Sequence, residues 1–191
     1  MKQRFALVVL VLSSAFLGGC ASVPPSKSEA SYPSRLEGFG RYDRFPATVA
    51  GYHRGVVTAY APELANYSVA YDRHDAELQN AVTLYFYPRP RGNQLEAEQA
   101  EVRQAHPGAS VRSSNEVTLQ GRAGVYNASL TTFEYEEVFA GRPQRVSSQL
   151  LLVFLPAQTF KVRSTAPLEQ ARAAEAAMLR VVDGISWAPE P

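Results

Sequence analysis

Leu150-Leu151-Leu152-Val153-Phe154-Leu155 is an unbroken run of six apolar residues. It is too short for a membrane-spanning helix and fits a strand buried on both faces. The neighbouring segments support that reading. Gly124 to Val138 alternates Tyr126, Ala128 and Leu130 with Val125, Asn127 and Ser129, a period of two. Ala140-Gly141 turns the chain, and Gln144 to Leu155 returns along it. Glu136 and Glu137 then face Arg142 and Arg145 across the hairpin, and Glu134 joins them in a solvated, ion-paired tip. Pro156-Ala157-Gln158 turns the chain again, and Thr159 to Ser164 pairs back.

Upstream, strand-like stretches occur around Thr48-Val49-Ala50 and Val56 to Tyr60, then at Tyr67 to Tyr71 and Asn80 to Tyr87. In the last of these, Val82, Leu84 and Phe86 alternate with Thr83, Tyr85 and Tyr87. Pro88 to Gly92 stops the strand. Asn93 and Glu96 form a capping box for a helix from Gln94 to His106, with Leu95, Val102 and Ala105 on its apolar face. Pro107-Gly108 ends it. Val117 to Gln120 reads as a short strand. A second helix runs from Pro167 to Val182, with Leu168, Ala171, Ala174, Met178 and Val181 as its stripe and Gly184 past its end. Strands, helix, strands, helix predict an α+β domain. Its mainly antiparallel sheet has about six or seven strands, with two principal helices packed on it.

Composition narrows the function. The chain has 191 residues, 46% hydrophobic and 19% charged, with a formal charge of +1. That content is too apolar for a disordered chain, and the balance excludes nucleic-acid binding by bulk basicity. One cysteine excludes an internal disulfide framework. Sixteen arginines stand against three lysines, which suits bidentate contacts to carboxylate or phosphate.

The N-terminus reads as an export signal spanning 1–19. Lys2 and Arg4 precede an uncharged segment, Phe5 to Gly19, which is shorter than the ~20 residues of a spanning helix. It ends in Leu17-Gly18-Gly19-Cys20. This resembles the lipobox of bacterial lipoproteins: an aliphatic residue, two small residues, then the cysteine. The resemblance implies diacylglycerol on the Cys20 thiol, cleavage before Cys20, and palmitate or a similar acyl group on the new amine. Two or three acyl chains make a stable anchor where one does not. Ala21 in place of aspartate implies sorting to the periplasmic face of the outer membrane. Residues 20–37 carry the lipid and a Ser/Pro-rich flexible tether. Residues 38–187 form a single domain, and 188–191 a short tail.

The block Leu150 to Leu155, Thr159 to Pro167 and the alanine-rich helix after it resembles the end of PsbP-like domains in element order. That resemblance implies a PsbP-like sandwich and a non-catalytic accessory or assembly role. It carries no functional positions.

The search for chemistry yields few groups. Asp72, His74 and Asp75 are the only local cluster with metal or acid–base potential. They fall at a turn around Arg73, where such residues are usually solvated. An envelope hydrolase or metal-dependent enzyme would need them to converge with His53 or a glutamate in a pocket. His106 sits at a helix C-terminus, where a cation suits the dipole. No nucleophile elbow or phosphate-binding glycine pattern occurs. Tyr85 and Tyr87 share one strand face; left uncovered, they are candidates to line a groove or meet a partner, and the competing reading is packing under a helix, the usual role of strand aromatics. The sequence therefore predicts no catalytic residue and no cofactor. Its expected partners are the membrane, through the acyl chains, and an envelope protein or small ligand. A lipid- or small-ligand-binding module is a further alternative.

Overall fold

The structure is a computed structural model describing residues 45–60, 66–88, 93–121, 124–185 and 187. The export signal, Cys20, the tether, the first seven residues of the expected domain and the 188–191 tail lie outside the described residues.

Among the described residues, eight strands form one antiparallel sheet: β1 (Thr48–Val49), β2 (Tyr52–Ala59), β3 (Tyr67–His74), β4 (Gln79–Pro88), β5 (Ser110–Gly121), β6 (Gly124–Phe139), β7 (Arg142–Phe154) and β8 (Gln158–Pro167). Helix α1 (Gln94–Ala105) joins β4 to β5, and α2 (Ala171–Asp183) follows β8 after a short 3-10 turn at Leu168–Gln170. The order across the sheet is β1-β2-β3-β4-β8-β7-β6-β5. Two four-strand meanders thus meet where β4 pairs with β8, Leu84 opposite Val162. The chain leaves the centre of the sheet after β4, passes through α1 to the far edge, and winds back.

This corrects the expected architecture. The molecule is not an α+β sandwich, PsbP-like or otherwise, with six or seven strands under two principal helices. Among the described residues, strand outweighs helix by 60% to 21%, in a single eight-stranded sheet. Each strand overlaps a strand-like stretch of the sequence, but the polar and irregular strands run longer than their patterns show. Only Val117 to Gln120 carries a strand pattern in β5, because Ser110 to Glu116 is polar and mostly exposed on both faces. A bulge between Val111 and Ser113 further breaks its alternation. In β2, irregular pairing between Arg54 and Val57 interrupts the period in the same way.

Two of the turns use the same device. Ala50-Gly51 and Ala140-Gly141 are both two-residue loops with positive φ at each position. That conformation matches the twist of the strands they join.

The sheet has a separate apolar core on each face. On one side α2 lays Ala174, Ala177, Met178, Val181 and Val182 over Val69, Val82, Leu84, Leu151 and Val162. Trp187 closes that core, stacked on Phe160 with ring centroids 5.1 Å apart. On the other side Val102 of α1 joins Phe133, Tyr135, Phe139, Val146, Leu150 and Leu152. The apolar run is therefore buried on both faces, and burial extends back to Val146.

One helix boundary differs from expectation, and Gly184 follows the end of α2 as expected. Pro167 ends β8 in an extended conformation (φ −50°, ψ 141°) rather than opening the helix. Gly184 caps α2 with φ −82°, so no left-handed conformation requires glycine there. Space does: a Cβ would lie 2.3 Å from Val49 Cγ2.

Candidate functional site

A closed polar cluster lies between α1 and the sheet, built on Tyr85 and Tyr87. Both tyrosines point to the α1 side of β4, because Val82, Leu84 and Phe86 take the other. Register places Lys161 of β8 beside Tyr85, and Thr159 beside Tyr87. Helix α1 supplies the rest from one face: Gln94, Glu98 and Glu101 lie three or four residues apart.

Lys161 Nζ donates to Glu98 Oε2 at 2.7 Å and to Glu101 Oε2 at 3.3 Å. It lies 4.8 Å from the centre of the Tyr85 ring and 5.6 Å from that of Tyr87, within cation–π reach. The Tyr87 hydroxyl donates to Glu98 Oε1. Gln94 Nε2 donates to the Tyr87 hydroxyl at 3.0 Å, and Thr159 Oγ1 to Gln94 Oε1 at 2.9 Å. Each group thereby satisfies another.

The electrostatics follow from this closure. Burial pushes Glu98 up, but hydrogen bonds from Lys161 and then Tyr87 outweigh it and hold the carboxyl below its usual range. Burial, then the bond to Glu98, drives the Tyr87 phenol well above its ordinary value. Burial also raises Tyr85. At neutral pH the cluster holds neutral phenols and an ion pair, an arrangement suited to locking a helix onto a sheet. The Lys161 and Glu98 side chains are each only 11% exposed, so removing either partner leaves a buried charge.

The sequence singled out the two tyrosines but missed Lys161 and Glu98. A signal was present: Lys161 is one of three lysines, and it is set within the strand-like stretch Thr159 to Ser164. Glu98 gave none, since glutamate on a helix is ordinarily solvated.

The other candidates are not brought together into a site. Asp75 accepts from Arg73 Nε at 2.5 Å and from the backbone N–H groups of Glu77 and Leu78 at 2.8 Å. The Arg73 bond, then those N–H groups, hold its carboxyl down to about 2. It organises the β3–β4 turn. His74 is exposed beside it, and Asp72 pairs in register with His53. Among the described residues, no group of three or more His, Cys, Asp or Glu side chains is placed to hold a metal ion. His106 stacks on Tyr135 with ring centroids 4.0 Å apart. At the hairpin, Glu134 takes the ion pairs, with Arg112 at 2.8 Å and Arg145 at 2.9 Å. An open depression of about 490 Å³ near that hairpin is lined by Arg142, Pro143, Gln144, Arg145, Leu168 and Glu169. No described helix is long and apolar enough to cross a membrane.

No family model matches the chain, and no curated protein matches it.

Proposed function

We propose that this chain is a lipid-anchored lipoprotein of the bacterial envelope, tethered through acylated Cys20 to the periplasmic face of the outer membrane. Its domain acts there as a non-catalytic binding, assembly or envelope-maintenance module. The observation that carries the anchor is the sole cysteine, which closes Leu17-Gly18-Gly19-Cys20 behind a charged start and a short uncharged segment. A thiol is the side chain best suited to thioether formation. The non-catalytic reading is supported by the cluster under α1, where Lys161, Glu98 and Tyr87 are engaged with one another. The partner is an envelope protein or a small ligand.

Growth with an alkyne-tagged fatty acid tests the anchor. The intact chain takes up label, and Cys20→Ala takes up none and accumulates as precursor. An unlabelled native chain, or equal labelling of both forms, overturns the assignment.

A further inference from the structure

We propose that α1 is a latched lid, which lifts from the sheet as a unit while the eight strands and α2 stay folded. The two helices are nearly equal in length, at 12 and 13 residues, yet they are attached by different chemistry. Helix α2 buries five apolar side chains, Ala174, Ala177, Met178, Val181 and Val182. The buried side chains of α1 are Gln94, Glu98 and Val102, two of them polar.

Directional polar contacts therefore do most of the holding. Lys161 grips Glu98 and Glu101, Tyr87 and Thr159 hold Glu98 and Gln94, and Gln99 Nε2 donates to Thr131 Oγ1 at 3.0 Å. When such contacts part, water replaces each of them, and the net loss is small. Apolar burial has no substitute in water. Lifting α1 thus costs less than lifting α2.

The strand ladders of the sheet do not run through α1. The β4–β8 ladder joins the two meanders directly, so the backbone pairing is complete without the helix. The pivot lies at the helix C-terminus, where His106 stacks on Tyr135. Pro107 and Gly108 follow, Gly108 with φ +99° and open space around it. The floor under the lid is Leu150, Leu152 and Phe133, all fully buried when it is closed. The device makes that apolar face conditional on the Lys161 latch, an opening of the local, sub-global kind.

Hydrogen exchange read by mass spectrometry, on the full chain in detergent, tests this. Amides of Ala97 to Ala105 should exchange at least tenfold faster than those of Met178 to Val182. Lys161→Met should speed α1 a further tenfold or more and leave α2 and β7 unchanged. Glu101→Gln alters a largely exposed partner of the same latch, and should speed α1 about threefold in a chain that folds normally. It decides the matter where Lys161→Met does not accumulate. Equal exchange in the two helices, or equal acceleration of both by either variant, overturns the lid.

Discussion

Glu98 and Lys161 are charged side chains at buried positions, and each is tolerable there because of the other. A carboxylate or an ammonium alone under α1 would lose its hydration without replacement. Tyr71 solves the same problem as a neutral group. Its ring is fully buried on the α2 side of β3, and its hydroxyl donates to the Pro46 carbonyl at 2.9 Å. Burial pushes the phenol from 10.0 up to about 12, against a smaller opposing pull from Arg54. The folded state therefore prefers the protonated form. The stability this contributes is complete below pH 10 and is lost as pH rises through 12. Between pH 8 and pH 11 the native chain should lose about 1.4 kcal/mol more than Tyr71→Phe. Urea unfolding at the two pH values measures this, and parallel losses in both chains would show that Tyr71 is not the responsive group.

At the scale of elements, the sequence was most legible where one strand face is buried and the other is not. β4 alternates strictly, and its tyrosines lie on the face read from the sequence. The capping of α1 was also readable: Asn93 Oδ1 accepts the Glu96 N–H at 3.3 Å. Its apolar face was not. Ala105 is exposed and Leu95 half-buried, while Gln94 and Glu98 take the inner positions. Apolar periodicity cannot reveal a helix face that packs through hydrogen bonds. The first half of β5, Ser110 to Glu116, stayed hidden for a related reason, since an exposed edge strand gains little from alternation. The turn at Ala140-Gly141 was legible from its glycine. The cost at Ala140 was not, because its φ of 51° is visible only in the structure. A left-handed alanine is strained relative to asparagine or glycine. Ala140→Asn should therefore stabilise the chain by roughly 0.5–1 kcal/mol. An upward shift in the urea midpoint at constant m-value checks this, and a downward shift would show the turn is unstrained.

Across the whole molecule, the sheet separates two cores that do not merge. Leu150 and Leu151 are adjacent in β7, both fully buried, and belong to different cores. Truncation of either should be severe: Leu150→Ala and Leu151→Ala should each cost about 2–5 kcal/mol. Chemical denaturation of the two variants measures this. A sheet packed on one side only would lose stability in one of them and barely change in the other.

The sequence by itself determined part of every strand, the two helices and the two-sided burial of the apolar run. It also carries Leu17-Gly18-Gly19-Cys20, the stretch on which the proposed acylation rests. These are local properties, written in periodicity, turn residues and short motifs. Only the tertiary structure decided that eight strands make one sheet, that β4 pairs with β8, and that Lys161 sits on Tyr85 beside Glu98. Residues 85, 98 and 161 are far apart along the chain, and no local pattern records which of them meet. Pairing across the centre of a sheet depends on how all the strands bury their apolar faces together, so it appears only when the whole chain is folded.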